Sequence, residues 1–192
     1  MQDFVVDRLT QDHGNIGRVL SLMSLQLGFL NKENTTGLAL LGTAVNYLSY
    51  FPGILHHPLE ELMFDSVRRS APVMGETYGR LVREHAELAS AAVGLSASIG
   101  LQQLGHDADL ARLQLQGEEY VMAYANHLQF EEAEVLPQAL EVLNKRQWTD
   151  IQTRFVFKRD PLFNRERLSL YENLYDALMG ESANLDKAVA TE

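Results

Sequence analysis

A chain of 192 residues with 46% apolar and 22% charged residues can bury one compact core, or one domain with a short appendage, and lies outside the disordered and low-complexity classes. Sixteen Lys and Arg against twenty-six Asp and Glu give a net charge of −10, which argues against a non-specific nucleic-acid surface or an anionic membrane, since both need a concentrated positive field. The absence of cysteine removes disulfides, thiolate metal sites and a Cys nucleophile, and fits a reducing cytoplasm.

The N-terminal MQDFVVDRLTQDH has neither the basic start nor the apolar run of a signal peptide, so a cytoplasmic location is expected. Strand signals are nearly absent and helical periodicity is strong. A first helix is predicted after Thr10 as N-cap, with His13, Ile16, Leu20, Met23, Leu27 and Leu30 on one stripe. A second, from about Asn34 to Thr36, carries Leu38, Leu41, Val45 and Leu48 on to His56, Glu60, Met63 and Val67, with Pro52 and Pro58 bending or tightening it locally. Its uncharged stretch, 35–55, is long enough to span a bilayer. Thr35, Thr36, Asn46, Ser49 and Pro52-Gly53 interrupt that stretch and two His and two Glu follow it, so it reads as a core helix.

Beyond Ser70-Ala71-Pro72, a third stripe runs through Tyr78, Leu81, Val82, His85, Leu88, Ala92, Leu95 and Ile99 and ends near Leu104-Gly105. A fourth, from about Asp107, runs through Leu110, Leu113, Tyr120, Tyr124, His127, Glu131 and Val135 and fades after Pro137. Shorter helical segments at 146–157 and 165–179 follow, split by Arg159-Asp160-Pro161-Leu162. The expected architecture is all-α: an up-down-up-down four-helix bundle over 1–144, with a helical C-terminal extension, 145–192, packed on it.

The two halves repeat one pattern. Asp12-His13 is followed by His56 with Glu60 four residues on, and Glu84-His85, at nearly the same separation, by His127 with Glu131 four residues on. Residues four apart share a helix face, so each second helix offers an imidazole and a carboxylate to one interior spot. Four inward imidazoles and two inward carboxylates are costly to bury unpaired, whereas two divalent cations would satisfy them together. Imidazole with carboxylate and no thiolate suits Fe, Mn or Zn, and two carboxylates in a small core are placed to bridge two ions.

His57 also has a glutamate four residues on, Glu61, and a one-residue rotation would exchange this pair for His56 and Glu60. The His56 register is preferred because it shares its face with Val45, Met63 and Val67, where His57 would bring Arg68. Glu61 and Glu132 are expected to support the ligands from outside the set or to face solvent, and His106 to lie in a loop without a role. Tyr120 and Tyr124 read as core aromatics, with a hydroxyl near the metal as the alternative.

Asp12-His13, His56-His57-Pro58-Leu59-Glu60-Glu61, Glu84-His85, and His127 through Glu131-Glu132 to Val135-Leu136-Pro137 together make the chain resemble the hemerythrin-like HHE cation-binding proteins, which are four-helix bundles with a non-haem di-iron site. The resemblance implies two iron ions with a bridging oxo or hydroxo group, or Mn or Zn in their place. It also implies His13, His56, Glu60, His85, His127 and Glu131 as ligands, with Glu60 and Glu131 bridging. Oxygen-carrying members have a further histidine one turn after the third-helix ligand and an aspartate five residues after the last histidine. Here those positions are Ala89 and Glu132, with Glu131 fitting better, so the site is expected to be poorer in imidazole and more open.

The expected function is binding or sensing of O2, a related oxidant or nitric oxide. The alternatives are a di-iron enzyme of peroxide or nitric oxide handling, and a metal-free helical interaction module with structural histidines. A small diatomic or peroxide ligand and a second copy of the chain, as a homodimer, are the partners considered; no nucleic acid or membrane is expected.

Overall fold

The structure, a computed structural model, describes residues 2–31, 34–105 and 109–189. Among them there is no strand. Helix α1, Gln2–Gly28, starts before Thr10, because Val5 and Leu9 extend the apolar stripe by two turns and are fully buried; propensity for a cap yields to that burial. Asn34 caps α2, Thr35–Phe51, accepting from the Gly37 N–H, and Asp109 caps α5, Leu110–Phe130, accepting from the Ala111 and Arg112 N–H groups. The expected start near Asp107 and the position of His106 lie outside the described residues.

Between α2 and α3, His57–Ser70, lies a π-helical turn, Pro52–His56. A second, Glu131–Val135, joins α5 to α6, Leu136–Val142. Each stands two residues before a proline, Pro58 or Pro137. A proline cannot donate to the carbonyl four residues back, Ile54 or Ala133, and its ring crowds that carbonyl, so the turn widens. Pro58 therefore loosens the helix where tightening was an alternative expectation. Helix α4, Gly75–Gln103, follows a short 3-10 turn, Pro72–Met74. Val82, placed on its apolar stripe by sequence, is exposed.

Helix α1 packs on α2 and α5, and α4 packs on the same two. Two apolar clusters result. One gathers Ile16, Met23, Leu41, Leu48, Leu95 and Tyr124, the other Val5, Leu9, Leu59, Met63, Leu81 and Val135. The polar layer of Asp12, His13, His56, Glu60, His127 and Glu131 is buried between them. The segment Thr35–Ser70, long and apolar enough to cross a membrane, turns its apolar side into these clusters and carries His56 and Glu60 in that layer.

The tail closes both clusters. Helix α7, Lys145–Arg154, buries Trp148 and Ile151 in the second. Helix α8, Glu172–Val189, starts later than the periodicity predicts, after a Leu168 N–H bond to the Pro161 carbonyl and a 3-10 turn, Ser169–Tyr171. Ahead of these, Asp160 organises a turn by accepting from the Leu162 and Phe163 N–H groups at 2.8 and 3.0 Å. The same carboxylate accepts from the Tyr47 hydroxyl at 2.9 Å and from Asn15 Nδ2 at 3.1 Å, pinning the turn to α2 and α1. Leu162, Tyr171, Leu174 and Leu178 then enter the first cluster. Replacing Asp160 by Ala strands the buried Tyr47 hydroxyl and should cost roughly 2–4 kcal/mol in urea unfolding, whereas Glu166→Ala, at an exposed ion pair with Arg159, should leave the midpoint unchanged.

Candidate metal centre

His13 comes from α1, His85 from α4, His127 from α5, and His56 and Glu60 from the π turn and α3, while Glu131 opens the second π turn. All six side chains converge in the polar layer. His56, Glu60, His127 and Glu131 are at most 2% exposed and His13 is 3% exposed. His13 Nε2 lies 3.2 Å from His56 Nε2, and His85 Nε2 lies 3.1 Å from His127 Nε2. Each pair thus aims its nitrogens at one point.

The two carboxylates stand between the pairs. Glu60 places Oε1 3.1 Å from His56 Nε2 and Oε2 3.5 Å from His85 Nε2. Glu131 places Oε2 3.2 Å from His13 Nε2 and Oε1 3.3 Å from His127 Nε2. One oxygen of each glutamate therefore serves each histidine pair. Two donors about 2.1 Å from a single ion lie roughly 3.0–3.4 Å apart at coordination angles near 90–110°, the spacing seen here. Glu60 Oε2 and both Glu131 oxygens are buried without a hydrogen-bond partner, a costly condition for carboxylates that a cation would relieve. The residues fit a pair of divalent cations.

A ring of outer carboxylates surrounds the imidazoles, of which only Glu132 was expected beside the ligands, with exposure to solvent as the alternative. Glu132 accepts from His13 Nδ1 at 3.0 Å and Glu84 from His127 Nδ1 at 2.9 Å, and Asp12 Oδ2 lies 3.5 Å from His56 Nδ1. A proton held on Nδ1 leaves the Nε2 lone pair facing inward. Asp12 and Glu84 are themselves held by Arg8 and Arg80, at 2.8 and 2.5 Å. The repeated spacing Arg8, Asp12-His13 and Arg80, Glu84-His85 was the available signal. Each acidic residue serves the histidine of the facing helix instead of its own neighbour, which spacing alone does not disclose. Glu61 is exposed, away from the layer, while Glu132 is half-exposed at its edge.

His57 also turns inward. Its ring stacks on His85 at 3.8 Å between centroids with 13° between planes, and burial pushes it down to about 3 despite the Glu60 charge. The cluster is therefore richer in imidazole than the Ala89 position suggests. Tyr124 is buried with its hydroxyl unpartnered, and burial, Tyr120, Glu131 and Glu60 all raise it well above its usual range. Its ring centroid is 6.2 Å from that of His127. A groove of about 560 Å³ between α4 and α5, lined by Glu84, Leu88, Leu95 and Tyr120, reaches His127 from outside.

A family model for the hemerythrin HHE cation binding domain matches residues 5–139. The chain belongs to the hemerythrin HHE cation-binding family. Neither the curated proteins nor the solved structures give a match.

Protons and metal compete for this layer. Burial opposes charge on His13 and His56, but Glu131 and Glu60 outweigh it at His13, and Glu60 and Asp12 at His56, raising them to about 9 and about 10. Burial also opposes the Glu60 charge, yet His56 and His13 hold that carboxyl well below its usual value. In the metal-free protein the raised imidazoles contribute stability that is complete below about pH 6.5 and lost as pH rises through about 9 to 10. Metal ligation has the opposite sign, because the ion displaces those protons. Calorimetry at pH 7 in buffers of different ionisation enthalpy should record at least one proton released per chain on loading, and affinity should rise towards pH 9. Buffer-independent heats would contradict this assignment of the protons.

Proposed function

We propose that the chain is a cytoplasmic di-iron protein that binds or senses O2, a related oxidant or nitric oxide. The supporting observation is the division of each buried glutamate between two histidine pairs. His13 and His56 would hold one ion and His85 and His127 the other, with Glu60 and Glu131 bridging. Manganese or zinc satisfies the same donors. The ring of contacts α1–α2–α4–α5 supports an up-down-up-down order, which brings alternate helices to the centre from opposite directions.

Bound iron supplies the redox-active, ligand-accepting position. The chain's own residues do the rest. Glu84 and Glu132 keep the His127 and His13 lone pairs inward, and the apolar clusters on either side keep the layer dry. The α4–α5 groove gives a small molecule a route to the His127 side. Tyr124, its proton tightly held and its hydroxyl free, can donate a hydrogen bond to an oxygen-bearing ligand. That hydroxyl favours the second reading, an enzyme of peroxide or nitric oxide chemistry, since a positioned donor can assist bond cleavage.

Stopped-flow spectra of the reduced protein separate the two: a persistent, reversible O2 adduct marks binding or sensing, and rapid oxidation with peroxide turnover marks the enzyme. Purified wild-type protein should contain close to two metal ions per chain. Glu131→Ala should lose them or hold them more than about tenfold more weakly, whereas Glu134→Ala, at an exposed position, should keep the wild-type content. Metal-free protein whose melting temperature ignores added iron would instead identify a helical interaction module with structural histidines.

A further inference from the structure

We propose that His57 is a fifth imidazole donor, ligating the ion on the His85–His127 side and making the centre asymmetric, with three imidazoles on one ion and two on the other. This rests on the di-metal reading above. Consecutive residues of a regular helix point about 100° apart, so only one of His56 and His57 is expected inside. The widened turn Pro52–His56 changes that: the His57 N–H reaches back to the Pro52 carbonyl. Both rings end in the layer, 5.8 Å apart at their centroids.

The His57 ring belongs to the second histidine pair. A nitrogen from each of His57, His85 and His127 falls within 4.8 Å of the others, and a turn of the His57 ring out of its stack on His85 would bring its in-plane lone pair onto the shared ion. A separate set of donors, from His13, His56, Glu60 and Glu131, lies equally close together. His57 Nε2 is buried with no hydrogen-bond partner. A ring present only to stack would leave a nitrogen stranded there, which an apolar ring would avoid. The other half of the repeat has no counterpart, because Leu128 follows His127. Its π turn starts at Glu131, after the histidine, whereas the first turn ends on His56.

His57→Phe keeps a flat ring against His85 and removes the nitrogens, and His57→Ala removes both; circular dichroism of the metal-free variants establishes that they fold. Anaerobic Fe(II) titration with elemental analysis is the test. Wild type should take up two ions, and both variants should keep one while the second weakens more than about tenfold. Metal-free His57→Phe should melt no lower than wild type, yet gain less on iron addition. Two ions at wild-type affinity in His57→Phe, with an unchanged optical spectrum, would overturn the proposal and leave the di-iron reading intact. No uptake by wild type would overturn both.

Discussion

Two buried glutamates govern this structure. Glu60 and Glu131 lie in the middle of a bundle with apolar clusters on both sides, where an isolated carboxylate would be strongly destabilising. Every feature of the layer can be understood as an answer to that cost. Four imidazoles face the carboxylate oxygens, Glu132 and Glu84 accept from imidazole N–H groups, Asp12 lies beside a third ring, and arginines neutralise Asp12 and Glu84. Negative charge dominates the centre and positive charge is recruited from its surroundings. A cation site and a proton-binding site are therefore two states of one electrostatic arrangement.

The prolines and their π turns adapt this arrangement to function. A regular helix repeats its faces too strictly to place both an imidazole and its neighbour in one layer. Widening by one residue re-aims side chains without ending the rod, a device often found at ligand sites. Because the two turns sit differently relative to their His-x-x-x-Glu segments, a duplicated sequence folds into unequal halves. The α4–α5 groove reaches His127 and a second groove, between α1 and α5, reaches His13 and Glu132, so the halves differ in the placement of their histidines and not in access.

The tail is tied to the same framework. Asp160 satisfies the buried Tyr47 hydroxyl and shapes the turn that delivers Leu162 and Tyr171 to the first cluster. Periodicity predicted helix from 165 onward, but the Leu168 N–H bonds back to the Pro161 carbonyl and a 3-10 turn, Ser169–Tyr171, comes before α8. Thr10 failed as a cap because two more turns of buried apolar residues outweighed one side-chain hydrogen bond.

Apolar recurrence at three and four residues and the duplicated His-x-x-x-Glu were enough to give an all-helical chain with an imidazole and carboxylate interior, because those properties depend on spacing along one helix. A regular helix admits one of His56 and His57, and the packed helices bring in both. The pairing of Asp12 with His56 and Glu84 with His127 was likewise beyond sequence, because each contact crosses between helices. Local periodicity determines which face of a rod is buried. Only the packing of rods determines which atoms meet, since distance between helices, widening at a proline and the partner across the interface are set by the whole core at once.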